Sequence, residues 1–262
     1  MAVELYNNGQ HACIMFDDLV QGEINVGESN VAVQANQFLI ADNGHGALLD
    51  PGGNMTYNQL TLEMHNYFPS RTLELILASH ADPDIIASIN KWIIHSDCKL
   101  AISRLWTRFV PHFCTVGEIE GRIISIPDEG MNLSLGDSVI TAMPAHFLHS
   151  EGNFQFYDPI SKILFSGDLG ASIGSSSGAR TPVADFDAHL PFMEGFHHRY
   201  MISNKISRYW VAMARQLELE WIVPQHGQPF KGKAMIDRFL DWVEQTPCGI
   251  DLMTQDAYRR PK

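Results

Sequence analysis

The segment His80-Ala81-Asp82-Pro83-Asp84 constrains this chain more than any other. It follows an apolar run, Leu73 to Ala78, and precedes a stretch from Ile85 to His95 whose apolar residues fall at helical spacing. One imidazole and two carboxylates therefore stand at alternate positions just past a strand end. In an extended or turning backbone, alternate side chains reach toward one small volume. Two close carboxylates repel unless a cation lies between them. The segment asks for a metal, and the remaining ligands must come from elsewhere in the chain.

Composition narrows the setting. With 262 residues, 45% hydrophobic and 18% charged, the chain is read as a packed globular protein forming a single domain over residues 1–262. A formal net charge of −12 argues against a nucleic-acid partner, which calls for a basic face. Cys13, Cys98, Cys114 and Cys248 form no C-x-x-C pair and are expected as free thiols in a reducing compartment. Met1 to Gln10 lacks the basic start and apolar core of a secretory leader. No apolar run reaches the ~20 residues needed to span a bilayer. The expectation is a cytoplasmic protein with no membrane partner.

Strand and helix signals alternate along the chain. Val31 to Ala35 and Gln37 to Ala41 are β-compatible, Asp42-Asn43-Gly44 is a turn, and Gly46 to Asp50 resumes a strand before Pro51-Gly52-Gly53. Tyr57 to Tyr67 has fair helix content. Lys99 to Ser103 and Arg122 to Ile126 read as strands, and Arg104 to Phe113 as an aromatic helix. Gly130 to Met143 and Phe154 to Phe165 read as hairpins. Gly174 to Gly178 is a loop by composition. Asp187 to Leu217 turns helical, with Met193, Phe196, Ile202, Ile206, Trp210 and Met213 as core candidates. Trp221 to Pro224 is a last strand and Ala234 to Glu244 a closing helix. Strands with antiparallel hairpins among helices favour a helix-covered two-sheet sandwich over a doubly wound parallel sheet.

Four loops share one description, a short apolar run followed by a metal-capable side chain. They are His80 to Asp84, Pro144 to His149, Ser166-Gly167-Asp168 and Pro224-Gln225-His226-Gly227. In this order the chain resembles the metallo-β-lactamase fold superfamily, with its H-x-[HED]-x-D segment, then His, Asp and His, over residues 31 to 230. A carboxylate at Asp82, together with Ala145 to Asn153 and Leu164 to Ala171, resembles the flavodiiron branch. The likeness is closer still to its stand-alone oxygen-binding di-iron members, which lack a flavodoxin domain.

The resemblance implies an α+β fold, the αββα four-layer sandwich. It implies that His80, Asp82 and His149 bind a first metal, that Asp168 bridges, and that Asp84 and His226 bind a second. At Ile85, where the superfamily pattern has a further His, this chain cannot ligate, so the second metal is a ligand short or takes one from elsewhere. Asp82 also departs from the flavodiiron Glu by one methylene. The implied cofactor is a pair of iron ions joined by an oxo or hydroxo bridge (Fe–O–Fe or Fe–OH–Fe). Zinc or manganese are the other candidates, and FMN is not expected within this chain alone. An oxygen-rich donor set suits iron or manganese better than zinc.

The implied function is binding, and with electrons reduction, of dioxygen or nitric oxide. The protein would then be a sensor or carrier, or an oxidoreductase of the flavodiiron type served by an external redox donor or a signalling partner. A homodimer is the expected assembly. Two other readings stand beside it: a two-metal hydrolase of a thioester or phosphodiester, and a silent binding module.

Several residues have plainer alternatives. His146 competes with His149 and is expected to pack the loop. Asp84 could cap a helix starting at Ile85. Glu194, His197 or His198 could supply the ligand missing at Ile85, though a solvated helix face is the favoured reading. Trp106, Phe109 and Phe113 could cover a pocket but fit ordinary packing better.

Overall fold

Runs such as Phe38-Leu39-Ile40 are apolar on successive residues, which suits strands buried on both faces. In the computed structural model of the protein, which describes residues 2–17, 19–20, 33–174 and 178–261, such runs build two face-to-face sheets. The first holds seven strands in sequence order: β1 (Ala2–Asn7), β2 (His11–Phe16), β3 (Gln37–Asp42), β4 (His45–Leu49), β5 (Leu75–Leu77), β6 (Lys99–Ser103) and β7 (Ile123–Ile126). Pairing is antiparallel from β1 to β4 and parallel from β4 to β7. The second sheet holds β8 (Met131–Leu135), β9 (Ser138–Pro144), β10 (Phe154–Asp158), β11 (Ile163–Phe165), β12 (Trp221–Val223) and β13 (Phe230–Lys231), with β11 and β12 its parallel pair.

Alternation assigns the side chains to layers. Cys13, Met15, Phe38, Ile40, Leu49 and Leu77 meet Ile140, Phe154, Phe156, Phe165 and Val223 between the sheets. Phe38 and Phe165 stand 4.9 Å apart across that core. The intervening residues Ile14, Leu39, Leu48 and Ile76 face outward, under α1 (Tyr57–Met64) and the short helices α2 (Pro83–Ile86), α3 (Ile89–His95) and α4 (Val116–Ile119). The outer face of the second sheet is covered by α5 (Phe186–Tyr200), α6 (Asn204–Ala214) and α7 (Lys233–Gln245). Ile236, Phe239, Leu240 and Val243 put one apolar stripe of α7 into that layer. The arrangement is the expected αββα sandwich. No described helix is long and apolar enough to cross a membrane, and all four cysteines are buried free thiols.

Local departures have local causes. The β1–β2 hairpin adds to the expected elements; Asn8-Gly9 between apolar runs is its signal, and Gly9 takes φ +92°. Residues 33–35 are not strand, and residues 31–32 lie outside the described residues, as do 175–177 of the Gly174 to Gly178 loop. Pro83 at the first helical position starts α2 ahead of Ile85, and the stretch to His95 divides into α2 and α3. Arg104 to Phe113 yields only a 3₁₀ turn, Thr107–His112, with Pro111 inside it. The helical stretch after Asp187 divides at Met201, whose extended backbone separates α5 from α6.

The sheets are also pinned by charge. Asp158 ends β10, whereas Asp168 lies beyond the end of its antiparallel neighbour β11, so the two carboxylates mark opposite edges of the sandwich. At the Asp158 edge, His11 of β2 holds Asp42 of β3 through Nδ1 at 2.9 Å and Asp158 through Nε2 at 2.8 Å. Cys13 and Ser161 donate to the same Asp158 carboxylate. His11, Asp42 and Asp158 are all buried. Burial alone would lower the His11 pKa, but the two carboxylates outweigh it and raise the imidazole above its ordinary value. Replacing His11 with Gln leaves two buried carboxylates without their cation. Chemical denaturation should show a loss of ~3–5 kcal/mol, and an unchanged midpoint would contradict the pinning role.

Candidate metal centre

The loops that leave β5, β9, β11 and β12 emerge at one edge of the sandwich. Main-chain bonds stitch them together: Phe154 donates to the Ser79 carbonyl at 2.8 Å, Ser166 to Val223 at 2.9 Å, and Gln225 to Gly167 at 2.8 Å. Gly167 takes φ +54° in the turn that delivers Asp168. Asn153 organises the His149 loop by donating its amide to the carbonyls of Leu148 (2.5 Å) and Ala145 (3.3 Å).

Asp168 lies at the centre. Its Oδ2 accepts a hydrogen bond from His149 Nε2 at 2.9 Å and lies 3.6 Å from His80 Nε2. Its Oδ1 faces the other way, 3.4 Å from His226 Nε2. Asp82 joins the first group, 3.4 Å from His149 and 3.7 Å from His80. Asp84 joins the second, 3.4 Å from His226. Ligand atoms of His80, Asp82, His149 and Asp168 all lie within 4.8 Å of one another. The six side chains singled out in the sequence thus converge, in two groups that share one carboxylate.

Helix α2 supplies both flanking carboxylates. Asp82 occupies its N-cap position, but its side chain caps no amide and turns to the histidines instead. Asp84 sits inside the first turn, so the expectation that it caps a helix starting at Ile85 is corrected. Ile85 is fully buried and lies away from the cavity.

The electrostatics call for positive charge. Burial works against ionising Asp168, yet the hydrogen bond from His149 and the nearby imidazole of His226, 3.4 Å from Oδ1, hold its carboxyl below the usual range. Burial likewise opposes charge on the two imidazoles, but Asp168 with Asp82 pushes His149 up to about 10, and Asp168 pushes His226 up to about 9. Asp82 is lowered, chiefly by its hydrogen bond with His149. Behind them, burial pushes Asp50 up to about 7, with the nearby carboxylates of Asp168 and Asp84 adding to it, although Ser79 donates its amide to Asp50 at 2.8 Å. Metal ions compete with protons for such donors.

Two atoms test the fit of a metal directly. His80 Nε2 and Asp168 Oδ1 are buried with no hydrogen-bond partner. A buried polar atom without a partner is costly, and both atoms face the shared space between the ligand groups. The rings are also oriented for ligation. His226 Nδ1 donates to the Gln34 carbonyl at 2.7 Å, which leaves Nε2 free to face the carboxylates. Ser79 Oγ lies 2.9 Å from His80 Nδ1.

A cavity of about 570 Å³ opens over the cluster, with Asp82, Asp84, His149, Asp168 and His226 in its wall. Phe196 and Tyr200, stacked at 4.4 Å, form an aromatic side beside His149.

The plainer alternatives hold in part, and the solvated helix face is corrected at His197, which is buried. His146 Nε2 donates to the Asp128 carbonyl at 2.9 Å and its ring packs on Phe154. Glu194, His197 and His198 do not line the cavity. Their helix turns Phe196 and Tyr200 to the site and buries His197 against Trp242, ring centres 4.6 Å apart. Trp106 and Phe113 pack on the helix-side core of the first sheet. Tyr200, Gln34, Ser79, Asn153 and Asp50 support the site without a signal in the sequence. Their contributions run through main-chain bonds, packing and burial, which leave no residue-type pattern.

The family model described as ODP family beta lactamase matches residues 33–227. The chain belongs to the ODP beta-lactamase family. Two ODP structures resemble it along nearly their whole length. The chemotaxis sensor ODP as a peroxy diiron species is 38% identical, with a TM-score of 0.82, over 96% of this chain and 97% of that one. The apo state of the chemotaxis sensor ODP from T. denticola matches at 38% identity, with a TM-score of 0.83 and the same coverage, 96% and 97%. The flavodiiron protein from Giardia intestinalis is 15% identical, with a TM-score of 0.76 over 93% of this chain, which spans 59% of that protein. At that identity the likeness is one of fold. The comparison with curated proteins gives no match.

His197 generates a pH prediction. Both its ring nitrogens are buried without partners, and burial, with the charge of His198 adding, lowers its pKa to about 4. The folded state thus binds this proton more weakly than the unfolded chain does. Stability should fall as pH drops from ~6.5 toward 4, by on the order of 3 kcal/mol from this residue. In His197→Phe that part of the acid loss should vanish in denaturant titrations run from pH 7 to 4. An acid profile identical to that of the parent would refute it.

Proposed function

We propose that this chain is a non-haem di-iron protein that binds dioxygen or nitric oxide and acts as a sensor or carrier of the gas. The observation that carries this reading is the divided carboxylate of Asp168, with one oxygen toward His80 and His149 and the other toward His226. His80, Asp82 and His149 would hold the first iron, Asp84 and His226 the second, and Asp168 both. Five carboxylate or imidazole groups plus a bridging carboxylate form the oxygen-rich set that suits iron or manganese. The resemblance to a chemotaxis sensor at 38% identity supports the sensing role.

Two ferrous ions held by these six residues would supply electrons and open coordination positions for a diatomic ligand. The chain's residues shape access to them. Ile85 offers no donor, so the second position keeps only Asp84, Asp168 and His226 and is the more open of the two. Apolar and aromatic residues of the cavity wall, Ile173, Phe196 and Tyr200 among them, favour a small apolar gas over water. Sustained reduction of the gas would need an external electron donor. The inter-sheet core runs from β1 to β12, which supports treating residues 1–262 as one domain.

The cavity, at about 570 Å³, also exceeds the needs of a diatomic gas. That size favours, as a second reading, a two-metal hydrolase acting on a thioester or phosphodiester.

Metal analysis after purification without added metal separates these readings. The di-iron reading expects about two irons per chain and a visible absorption band when the reduced protein meets oxygen. Zinc with ester hydrolysis and no such band would overturn it. Asp168→Ala should lose both metals, because one side chain serves both positions. His226→Ala should retain about one ion per chain, held at the His80 and His149 side. Equal loss at both positions in His226→Ala would reject the assignment.

A further inference from the structure

Gln34 makes contacts in two directions. Its main-chain carbonyl accepts the hydrogen bond from His226 Nδ1 at 2.7 Å. Its side-chain amide closes a two-bond ring with the main chain of Val20: Nε2 donates to the Val20 carbonyl at 2.8 Å, and Oε1 accepts from the Val20 N–H at 3.2 Å. Val20 lines the cavity over the metal centre.

The strand-entry segment that carries Gln34 is locked to the His226 loop. Two residues on, buried Asn36 donates its main-chain N–H to Gln225 at 2.6 Å and its side-chain amide to the carbonyls of Pro224 (2.9 Å) and Gly227 (3.1 Å). Residues 34–36 and 224–227 are therefore held as one unit, and a displacement of the His226 ring is passed to Gln34 rather than absorbed by slack between them. A carbonyl can only accept, so this contact also fixes the His226 tautomer, with the proton on Nδ1 and the lone pair on Nε2. A cation on Nε2 makes the Nδ1 proton more acidic and strengthens its bond to Gln34, as outer partners of metal-bound histidines do.

We propose that Gln34 is a positioning residue that couples the second metal position, through His226, to the main chain at Val20. Filling that position is then read out on the cavity rim. This rests on the two-metal reading given above, and it adds to it a route by which an occupied centre changes a surface.

Amide hydrogen exchange on the full chain, with and without Mn²⁺ as a redox-silent probe, tests it. In the parent, Mn²⁺ should slow exchange at the Val20 amide about fivefold or more, because that N–H is held by Gln34. Exchange should slow over residues 79–84 and 145–149 as well. In Gln34→Ala the carbonyl that holds His226 remains, so both ions should still bind, the second weakened only by the lost coupling, about fivefold. The slowing at Val20 should disappear while that at 79–84 and 145–149 persists. Gln34→Glu keeps the acceptor for the Val20 N–H and should retain part of the response.

A parent that binds two Mn²⁺ ions with no change at Val20 would overturn the coupling and leave the metal centre standing. So would a Gln34→Ala variant with the full response. A parent that binds no Mn²⁺ at all would sink both readings together.

Discussion

One carboxylate with two directions of contact is the constraint on which the site depends. Asp168 sits almost wholly out of solvent, and its oxygens face different imidazoles. A lone buried carboxylate in such a place would neutralise itself by taking up a proton. Here the surrounding histidines hold it in the charged form, and they become strongly basic in return. The whole edge of the sandwich is arranged to keep that reciprocity. Loops from both sheets are bonded to one another before any side chain reaches the centre, so the donor positions are set by backbone and not by the donors' own attraction.

That division between backbone and donors explains what could be read in advance. The donors announce themselves because, although a single His or Asp beyond a short apolar run could cap or pack, four such loops in order leave little freedom. The supports do not announce themselves. Asp50 works through the amide of Ser79, Asn36 by donating to three carbonyls, and Asn153 by donating to two. Each is a polar residue near a strand end, indistinguishable in sequence from any turn residue. The sandwich itself was legible because hairpin signals and buried runs were strong. Its first hairpin has only Asn8-Gly9 to mark it in the sequence.

Helix Phe186–Tyr200 shows a different limit. Its sequence offers Glu194, His197 and His198, all capable of binding metal, beside aromatic residues with no obvious chemistry. The helical turn decides between them. Residues four apart share a face, so Phe196 and Tyr200 look onto the site together, while Met193 and His197 look into the layer beneath. The chemistry-bearing residue types fall on the wrong faces, and the aromatic pair takes the position beside His149.

The His11 cluster bears on how the strands find their alignment. Strands that are oily on both sides, as β2 and β3 are, gain little from hydrophobic patterning when choosing among neighbouring offsets, because a slip by one residue exchanges one greasy surface for another. Such a slip in β2 would swing the imidazole to the opposite side and strand two acids in a dry interior. A single charged trio at the remote rim thereby penalises every misaligned pairing, and it does so far from the loops where the chemistry resides.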